Sequence, residues 1–268
     1  CRGYRFEHET GKKKKLLVTL EKLAASSVHK VICISESVRQ VGVDYNIFDK
    51  KKAVVINKGS SNGIELERFD SKKVNVGESQ QLKEELSLHN DFIYGFVGRL
   101  IDRKGISELF IAFQHVLKKY PKSKLLLVGP IEDSQIKNKQ VLVNLQNHPH
   151  IKQVGKQLNV PLYLSIMDVF VLPAWWEGFG NVLVQAAAMG KPVLSTTGTG
   201  SRDAVKHDFN GILVEPKNVE QLIMEMLRLQ EVQEAEAVQK ASDKESGNQK
   251  LRDLGLTDAE IDALIGGS

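Results

Sequence analysis

A doubly wound parallel α/β sheet is the fold class this sequence predicts, and three observations lead to it. From Asp91 to about Leu229, short apolar runs alternate with segments of helical period, the pattern of successive strand and helix units. Glycine-bearing loops fall where strands hand over to helices, at residues 98–105 and 177–181. At 268 residues and 41% hydrophobic, the chain can also bury one ordinary core.

Residues 12–28 read as a basic amphipathic helix, with Leu16, Leu17, Leu20, Leu23 and Ala24 at helical spacing. Lys12 to Lys15 stand at its start, the unfavourable end of the helix dipole for cations. A short apolar strand over 30–34, a helix from about Glu36 and a second strand over 53–56 follow. The GSSNG run at 59–63 is a breaker. Residues 63–90 read as a link between domains, with one helix around 82–88. Beyond it, strands are expected at 92–97, 125–128, 151–154, 169–172, 193–195 and 211–214. Helices are expected at 106–120 (stopped by Pro121), 161–166, 181–189 (ended by Gly190) and 219–229. After about Glu231 the composition turns to Glu, Gln, Lys, Ser and Ala without apolar periodicity. A closing helix has Thr257 and Glu260 as a capping box, Leu256 and Ile261 as a hydrophobic staple, and Gly266 and Gly267 as its stop.

The formal charge of +4 hides an asymmetry. Residues 1–52 carry 12 Lys/Arg against 6 Asp/Glu, a local +6, whereas 231–268 carry 4 against 9, a local −5. A basic head suits anionic lipid, phosphate-bearing substrate or nucleic acid, and it equally suits a solvated surface. No run of 18 or more apolar residues occurs, so no membrane-spanning helix is expected. Cys1 and Cys33 have no metal-ligand spacing and fit a reducing compartment. The chain opens on Cys1 rather than Met, which leads us to expect a fragment or a processed piece.

Two loops at one sheet edge carry the candidate chemistry. In the first, Gly98 allows a turn or a close backbone approach, while Arg99 and Lys104 supply a forked donor and a point charge suited to a diphosphate. The G-x-x-x-x-G-K-[ST] spacing of a Walker loop is absent. In the second, Gly178 and Gly180 present backbone N–H groups at the start of a helix, a site for phosphate or sugar oxygens. Glu177 can accept from sugar hydroxyls, or simply sit where a helix dipole favours an acid. Gly198 to Asp203 has two glycines of a dinucleotide fingerprint but Asp where the third belongs, and so predicts no dinucleotide site. His148 and His150 fall in a connecting loop and read as solvated. Trp175 and Trp176 either pack against a base or cover the loop.

The stretches FVGRLIDRKGISELFIAF and EGFGNVLVQAAAMGKPVLSTTGTGSRDAV resemble the donor-domain signatures of family-four retaining glycosyltransferases. KLLLVGP, VPLYLSIMDVFVLPA and NGILVEPKN are similar to the same family in order and spacing, and VICISESVRQ and AVVINKGSSNGIELERF resemble the end of its first domain and the crossover. The resemblance covers residues 1 to about 230, and the bacterial capsule, O-antigen and exopolysaccharide enzymes are the nearest in character.

It implies a GT-B fold, with 1–62 closing an acceptor-side Rossmann-like domain, 63–90 a linker, 91–230 a nucleotide-sugar donor domain and 231–268 a polar helical tail. It implies sugar transfer from a nucleoside-diphosphate sugar with retention, in surface polysaccharide or glycoconjugate synthesis. Gly98, Arg99 and Lys104 would hold the donor diphosphate, Glu177 the transferred sugar, and Gly178, Phe179, Gly180 and Asn181 the loop around it. The second acid of the Glu-x7-Glu motif, which meets the ribose, is Gln185 here; Gln keeps an acceptor oxygen but loses a charge-assisted bond. His8 sits in no motif of the family, and the family's first glycine-rich loop and its histidine would precede residue 1. No cofactor or metal is implied. The partners implied are the nucleotide sugar and a lipid-linked or saccharide acceptor, with no nucleic acid; the lysine cluster and leucine stripe of residues 12–24 read either as a peripheral contact to anionic membrane or as a face packed into the first domain. The expected location is cytoplasmic, at the inner face of a membrane. The rival reading is a donor-domain remnant that binds without turnover, or a scaffold. Without the rest of their sheet, residues 1–60 are expected to be poorly ordered or docked unnaturally.

Overall fold

The computed structural model describes residues 1–60 and 62–265; the side chains at 261, 262 and 265 lie outside that description. Two compact units result, Cys1–Met226 and Leu227–Ser268. The first unit contains the predicted sheet. Strands β3 (Phe92–Val97), β4 (Ser123–Val128), β5 (Ile151–Gln153), β6 (Val169–Val171), β7 (Val193–Thr196) and β8 (Ile212–Val214) form one six-stranded sheet in the order β5-β4-β3-β6-β7-β8. Every pairing is parallel. A parallel sheet covered on both faces needs strands that are apolar throughout, and β6 and β7 are buried at every position.

The crossovers are α4 (Ile106–Lys119), α5 (Lys139–Asn147), α6 (Val160–Ser165), α7 (Asn181–Ala188) and the short α8 (Ser201–Ala204). On α4, Leu109, Phe113 and Val116 are wholly buried. Their spacing puts them on one face, and each contributes roughly 1.5–3 kcal/mol by leaving water. Two elements escaped the sequence reading, α5 and α8. In α5 the buried positions, Val141 and Leu145, are accompanied by the apolar Leu142 and Val143 within nine residues, which leaves no clear helical period. The linker helix α3 (Val76–Glu85) begins earlier than expected because Asn75 caps it, accepting from the N–H groups of Gly77 and Glu78.

Residues 1–60, expected to be poorly ordered or docked unnaturally, form a packed layer in this structure. Helix α1 (Gly11–Ser26), strand β1 (Val31–Cys33), helix α2 (Glu36–Asp44) and strand β2 (Ala53–Val55) pack around Tyr4, Phe6, Ala25, Cys33, Val38, Ile47 and Phe48. β1 and β2 pair in parallel as a sheet of two. The leucine row of α1 divides. Leu17 and Val18 pack against this small core, whereas Leu16, Leu20 and Leu23 are 60%, 52% and 59% exposed.

This layer is fastened to the larger sheet by polar contacts. Ser37 donates through its backbone N–H (3.0 Å) and its hydroxyl to Asp203, and the N–H of Gly200 donates to the Ser37 hydroxyl at 2.7 Å. The 198–203 run, read from sequence as a failed dinucleotide loop, is therefore part of the fastening. Thr199 donates to Glu7 Oε2 at 2.6 Å, while Glu7 Oε1 is buried without a partner. Burial holds the Glu7 carboxyl above its ordinary range, the Thr199 bond opposing it. The folded chain thus binds this proton more tightly than the unfolded one, so stability is lost as pH rises from the ordinary carboxylate range through the folded value. Glu7→Gln keeps an acceptor for Thr199 and removes the charge. Its melting temperature is expected above wild type at neutral pH, the advantage vanishing near about pH 4; a lower value at neutral pH would contradict this account.

Helix α9 (Val219–Asp253) does not stop at residue 229 but runs for 35 residues. Its polar half lacks an apolar period yet is rich in good helix formers, which sustain it. Helix α10 (Asp258–Ile265) closes the described chain. The capping box is present, Thr257 N–H donating to Glu260 at 2.8 Å and the Glu260 N–H to the Thr257 hydroxyl at 3.4 Å. The Ile261 side chain of the expected staple, and Gly266 and Gly267, lie outside the described residues.

Candidate active site

The strand order reverses between β3 and β6, which are neighbours in the sheet although their crossovers leave in opposite directions. In open α/β sheets such a switch point leaves a crevice at the carboxyl ends of the two strands. The two glycine-bearing loops leave from there, 98–105 after β3 and 172–180 after β6. Sequence order separates them by some 70 residues; topology makes them adjacent.

Backbone contacts bind the loops together. The Trp175 N–H donates to the Arg103 carbonyl at 3.0 Å. Gly105 has φ +73°, and a methyl there would overlap the Pro173 carbonyl. Gly180, with φ +80°, is the N-cap of α7. A left-handed conformation at both points explains why glycine stands there.

Lys104 and Glu177 meet as an ion pair across the crevice, their side chains only 14% and 11% exposed. The Glu177 N–H donates to the Thr199 carbonyl at 2.7 Å, which fixes the acid's backbone. Arg99 stands further out, 47% exposed, with its guanidinium 3.0 Å from Glu132 Oε1. Lys104 and Glu177 therefore meet near the start of α7, whose N-terminal N–H groups add positive potential, while Arg99 lies apart on the 98–105 loop. An anion with two phosphates suits Arg99 and Lys104, and a neutral polyol suits Glu177 as acceptor.

The remaining predicted residues are distributed around this centre. Asn181 accepts from the Ser60 hydroxyl at 2.8 Å, and the Phe179 ring lies against Gly59. Gly98 follows β3, its N–H donating to the Val128 carbonyl at 2.9 Å. The backbone of Gly178 is approached by the Arg2 carbonyl, so residues 2–3 lie over this turn. Gln185 lies on α7, one turn and more from the loop, and its amide makes no hydrogen bond among the described residues.

Several neighbours of this centre carry no signal in the sequence. Arg103 lies over the Trp176 ring at 4.4 Å, and the Trp176 indole N–H donates to His8 Nδ1 at 3.2 Å. Trp175 donates to Glu108 at 2.8 Å and carries Lys217 over its ring at 4.0 Å. Both tryptophans therefore have protein partners, which favours their role as cover for the loop. Arg103 sits inside the loop already singled out; its pairing with an aromatic 73 positions away leaves no local trace. Among the described residues no three or more His, Cys, Asp or Glu side chains are grouped so as to hold a metal ion.

The model of the glycosyl transferases group 1 family matches residues 78–245. The chain belongs to that family. It is 34% identical over 217 residues to the capsular polysaccharide biosynthesis glycosyltransferase CapM of Staphylococcus aureus, covering 80% of this chain and 55% of the relative. It is 28% identical over 236 residues to the Escherichia coli UDP-Gal:alpha-D-GlcNAc-diphosphoundecaprenol alpha-1,3-galactosyltransferase, covering 85% and 58%. Among solved structures, Anabaena Alr3699/HepE in complex with UDP and glucose superposes with a TM-score of 0.69 at 22% identity, over 82% of this chain and 57% of that one. At that identity the likeness speaks for the fold, and it is the parallel α/β fold of glycosyltransferases. The chain thus spans little more than half the length of the relatives it matches.

Proposed function

We propose that this chain is the donor-binding half of a family-four retaining glycosyltransferase acting in surface polysaccharide or glycoconjugate synthesis. The observation that carries the reading is the meeting of Lys104 with Glu177 at the switch point, with Arg99 on the same loop as Lys104. Residues 91–230 hold the nucleoside-diphosphate sugar, and 1–62 belong to the wall that faces it. Arg99, Lys104 and the N–H groups from Gly180 onward receive the charge that develops on the departing diphosphate, so the reading calls on no metal. Glu177 orients the transferred sugar, Gly98 and Gly178 to Asn181 shape the loops, and Gln185 meets the ribose through a neutral contact. The E. coli relative's name, which carries a UDP sugar and a diphosphoundecaprenol-linked acceptor, supports a donor and an acceptor of those classes.

A thermal-shift panel of nucleotide sugars tests the reading. One or more are expected to raise the melting temperature, by about 2.7 kcal/mol of added stability at a hundredfold excess over Kd. No shift with any nucleotide sugar at millimolar concentration would sink it.

The proposal extends to a peripheral contact with anionic membrane on the cytoplasmic side. Leu16, Leu20 and Leu23 lie at i, i+4 and i+7 on the solvent face of α1, and Lys12 continues the row one turn earlier. Such a face joins apolar insertion to cation attraction, worth about 1 kcal/mol per Lys near anionic lipid. No helix among the described residues is long and apolar enough to cross a membrane. Sedimentation with phosphatidylglycerol vesicles is expected to pull the chain down at low salt and release it at high salt. Replacing Leu16, Leu20 and Leu23 with serine should abolish the effect; equal sedimentation of the triple variant would remove the membrane role.

A further inference from the structure

Beside the Lys104–Glu177 pair lies a second recess, a cavity of about 650 Å³ between the 5–13 segment, the 99–103 loop and the 134–137 loop. Neither Lys104 nor Glu177 lines it; Arg99 stands at the border of both sites. Five cations face the cavity, namely Arg5, Lys13, Arg99, Arg103 and Lys137, against the two acids Glu9 and Asp102.

Both acids are already engaged. Glu9 is paired with Lys13 at 2.6 Å. The carboxylate of Asp102 accepts from the Ser107 hydroxyl and from the Lys137 N–H, each at 2.9 Å. Arg5, Arg103 and Lys137 form no salt bridge among the described residues, although Glu177 and Glu132 act on Arg103, and Glu9 on Lys137, at longer range. With five cations against two acids the cavity keeps an excess of positive charge, and a bound anion of charge near −2 or −3 offsets it. Arg103 is held in place by Trp176, whose ring it covers at 4.4 Å, so one forked donor is oriented before any ligand arrives. The volume exceeds that of a bare phosphate and falls within the usual range of small-molecule sites.

We propose that this cavity binds the phosphate or diphosphate group through which the acceptor is carried, with Arg5, Arg103 and Lys137 as its donors. The inference rests on the glycosyltransferase reading above and names a substrate class for it. Donor and acceptor phosphates then lie on either side of Arg99. Arg103 and Trp176 form the wall between the acceptor group and the loop that carries Glu177.

Calorimetry on the full chain tests this with three probes: UDP, geranyl diphosphate as a soluble prenyl ester, and inorganic pyrophosphate. Arg5 and Lys137 are exposed and their side chains make no hydrogen bond among the described residues, so the double variant Arg5→Gln/Lys137→Gln should fold as wild type. It is expected to bind geranyl diphosphate about tenfold or more weakly, as loss of two charge-assisted donors implies, and UDP within about twofold of wild type. Lys104→Ala should show the opposite pattern. Unchanged affinity for geranyl diphosphate in the double variant, or no binding of it to wild type, overturns the proposal. Parallel loss of UDP and geranyl diphosphate also overturns it, since the cavity would then belong to the donor diphosphate. Pyrophosphate binding as tightly as the prenyl ester, with the same sensitivity, would show a site for free phosphate anions and overturn the acceptor assignment. Should UDP fail to bind wild type while the prenyl ester responds as expected, the donor reading falls and the cavity assignment stands.

Discussion

Lys104→Ala is expected to weaken binding of a nucleoside diphosphate such as UDP by roughly 1–3 kcal/mol, the usual cost of removing a charged hydrogen-bond partner. It should also destabilise the fold, because Glu177 would be left largely buried without its cation. Removing one partner of a fully buried pair costs about 3–5 kcal/mol, and the residual exposure of this pair places it toward the lower end. Arg99→Ala separates the two effects. Its partner Glu132 is near the surface, so the loss of stability should stay within about 1 kcal/mol while diphosphate binding falls as for Lys104. Glu177→Gln gives a third pattern. In the free chain the carboxylate competes with phosphate for Lys104, so its removal should leave UDP affinity equal or higher while the preference for a sugar-bearing nucleotide is lost. Calorimetry with UDP and a UDP-sugar, beside thermal melts, reads all three. Wild-type affinity for UDP in both cation variants would refute the phosphate assignment.

The parts of this molecule legible in its sequence are those in which neighbouring residues share a cause. β3 was placed residue for residue and α4 to within one, because an unbroken apolar run and a clean 3.6 period leave one solution. The two glycine-bearing loops were legible because a left-handed turn at a strand end demands glycine, and the chemistry of Arg99, Lys104 and Glu177 was visible within them. Their meeting was not, since it depends on β3 and β6 being neighbours, and strand order is a property of the whole sheet. The same limit hid Arg103 on Trp176, Thr199 on Glu7 and Asp203 on Ser37, where each partner is far away in sequence. Helix α1 shows a subtler failure. Its leucines look like one stripe in the sequence, yet the helix packs a half-buried Leu17 and Val18 against the core and leaves Leu16, Leu20 and Leu23 outside. Two apolar faces blur a single period, and only tertiary contacts say which one is the core. The length of α9 is hidden for a related reason: its second half has helix propensity without amphipathicity, so no apolar period marks it.

The second large effect is expected at Gly105, which touches no ligand. Its φ of +73° alone makes a side chain unfavourable, by about 1–2 kcal/mol for a non-glycine residue in the left-handed region. Gly155 provides the comparison. It has nearly the same dihedral, φ +68°, but a methyl there meets nothing within 4 Å. Gly155→Ala should therefore register the backbone cost and nothing more. At Gly105 the methyl also runs into the carbonyl of Pro173, which belongs to the loop after β6. Backbone cannot rotate away as a side chain can, so the two loops must part, and such overpacking adds roughly 1–3 kcal/mol. Gly105→Ala is thus expected to lose about 2–5 kcal/mol in urea unfolding, against about 1–2 kcal/mol for Gly155→Ala. The difference has a functional signature. Parting the loops lengthens the span from Lys104 to Glu177 and breaks the Trp175-to-Arg103 backbone bond, so UDP binding should weaken in Gly105→Ala and stay unchanged in Gly155→Ala. Equal destabilisation of the two variants, with UDP affinity intact in both, would mean that the loops are not held by this contact and that Gly105 answers only to its dihedral.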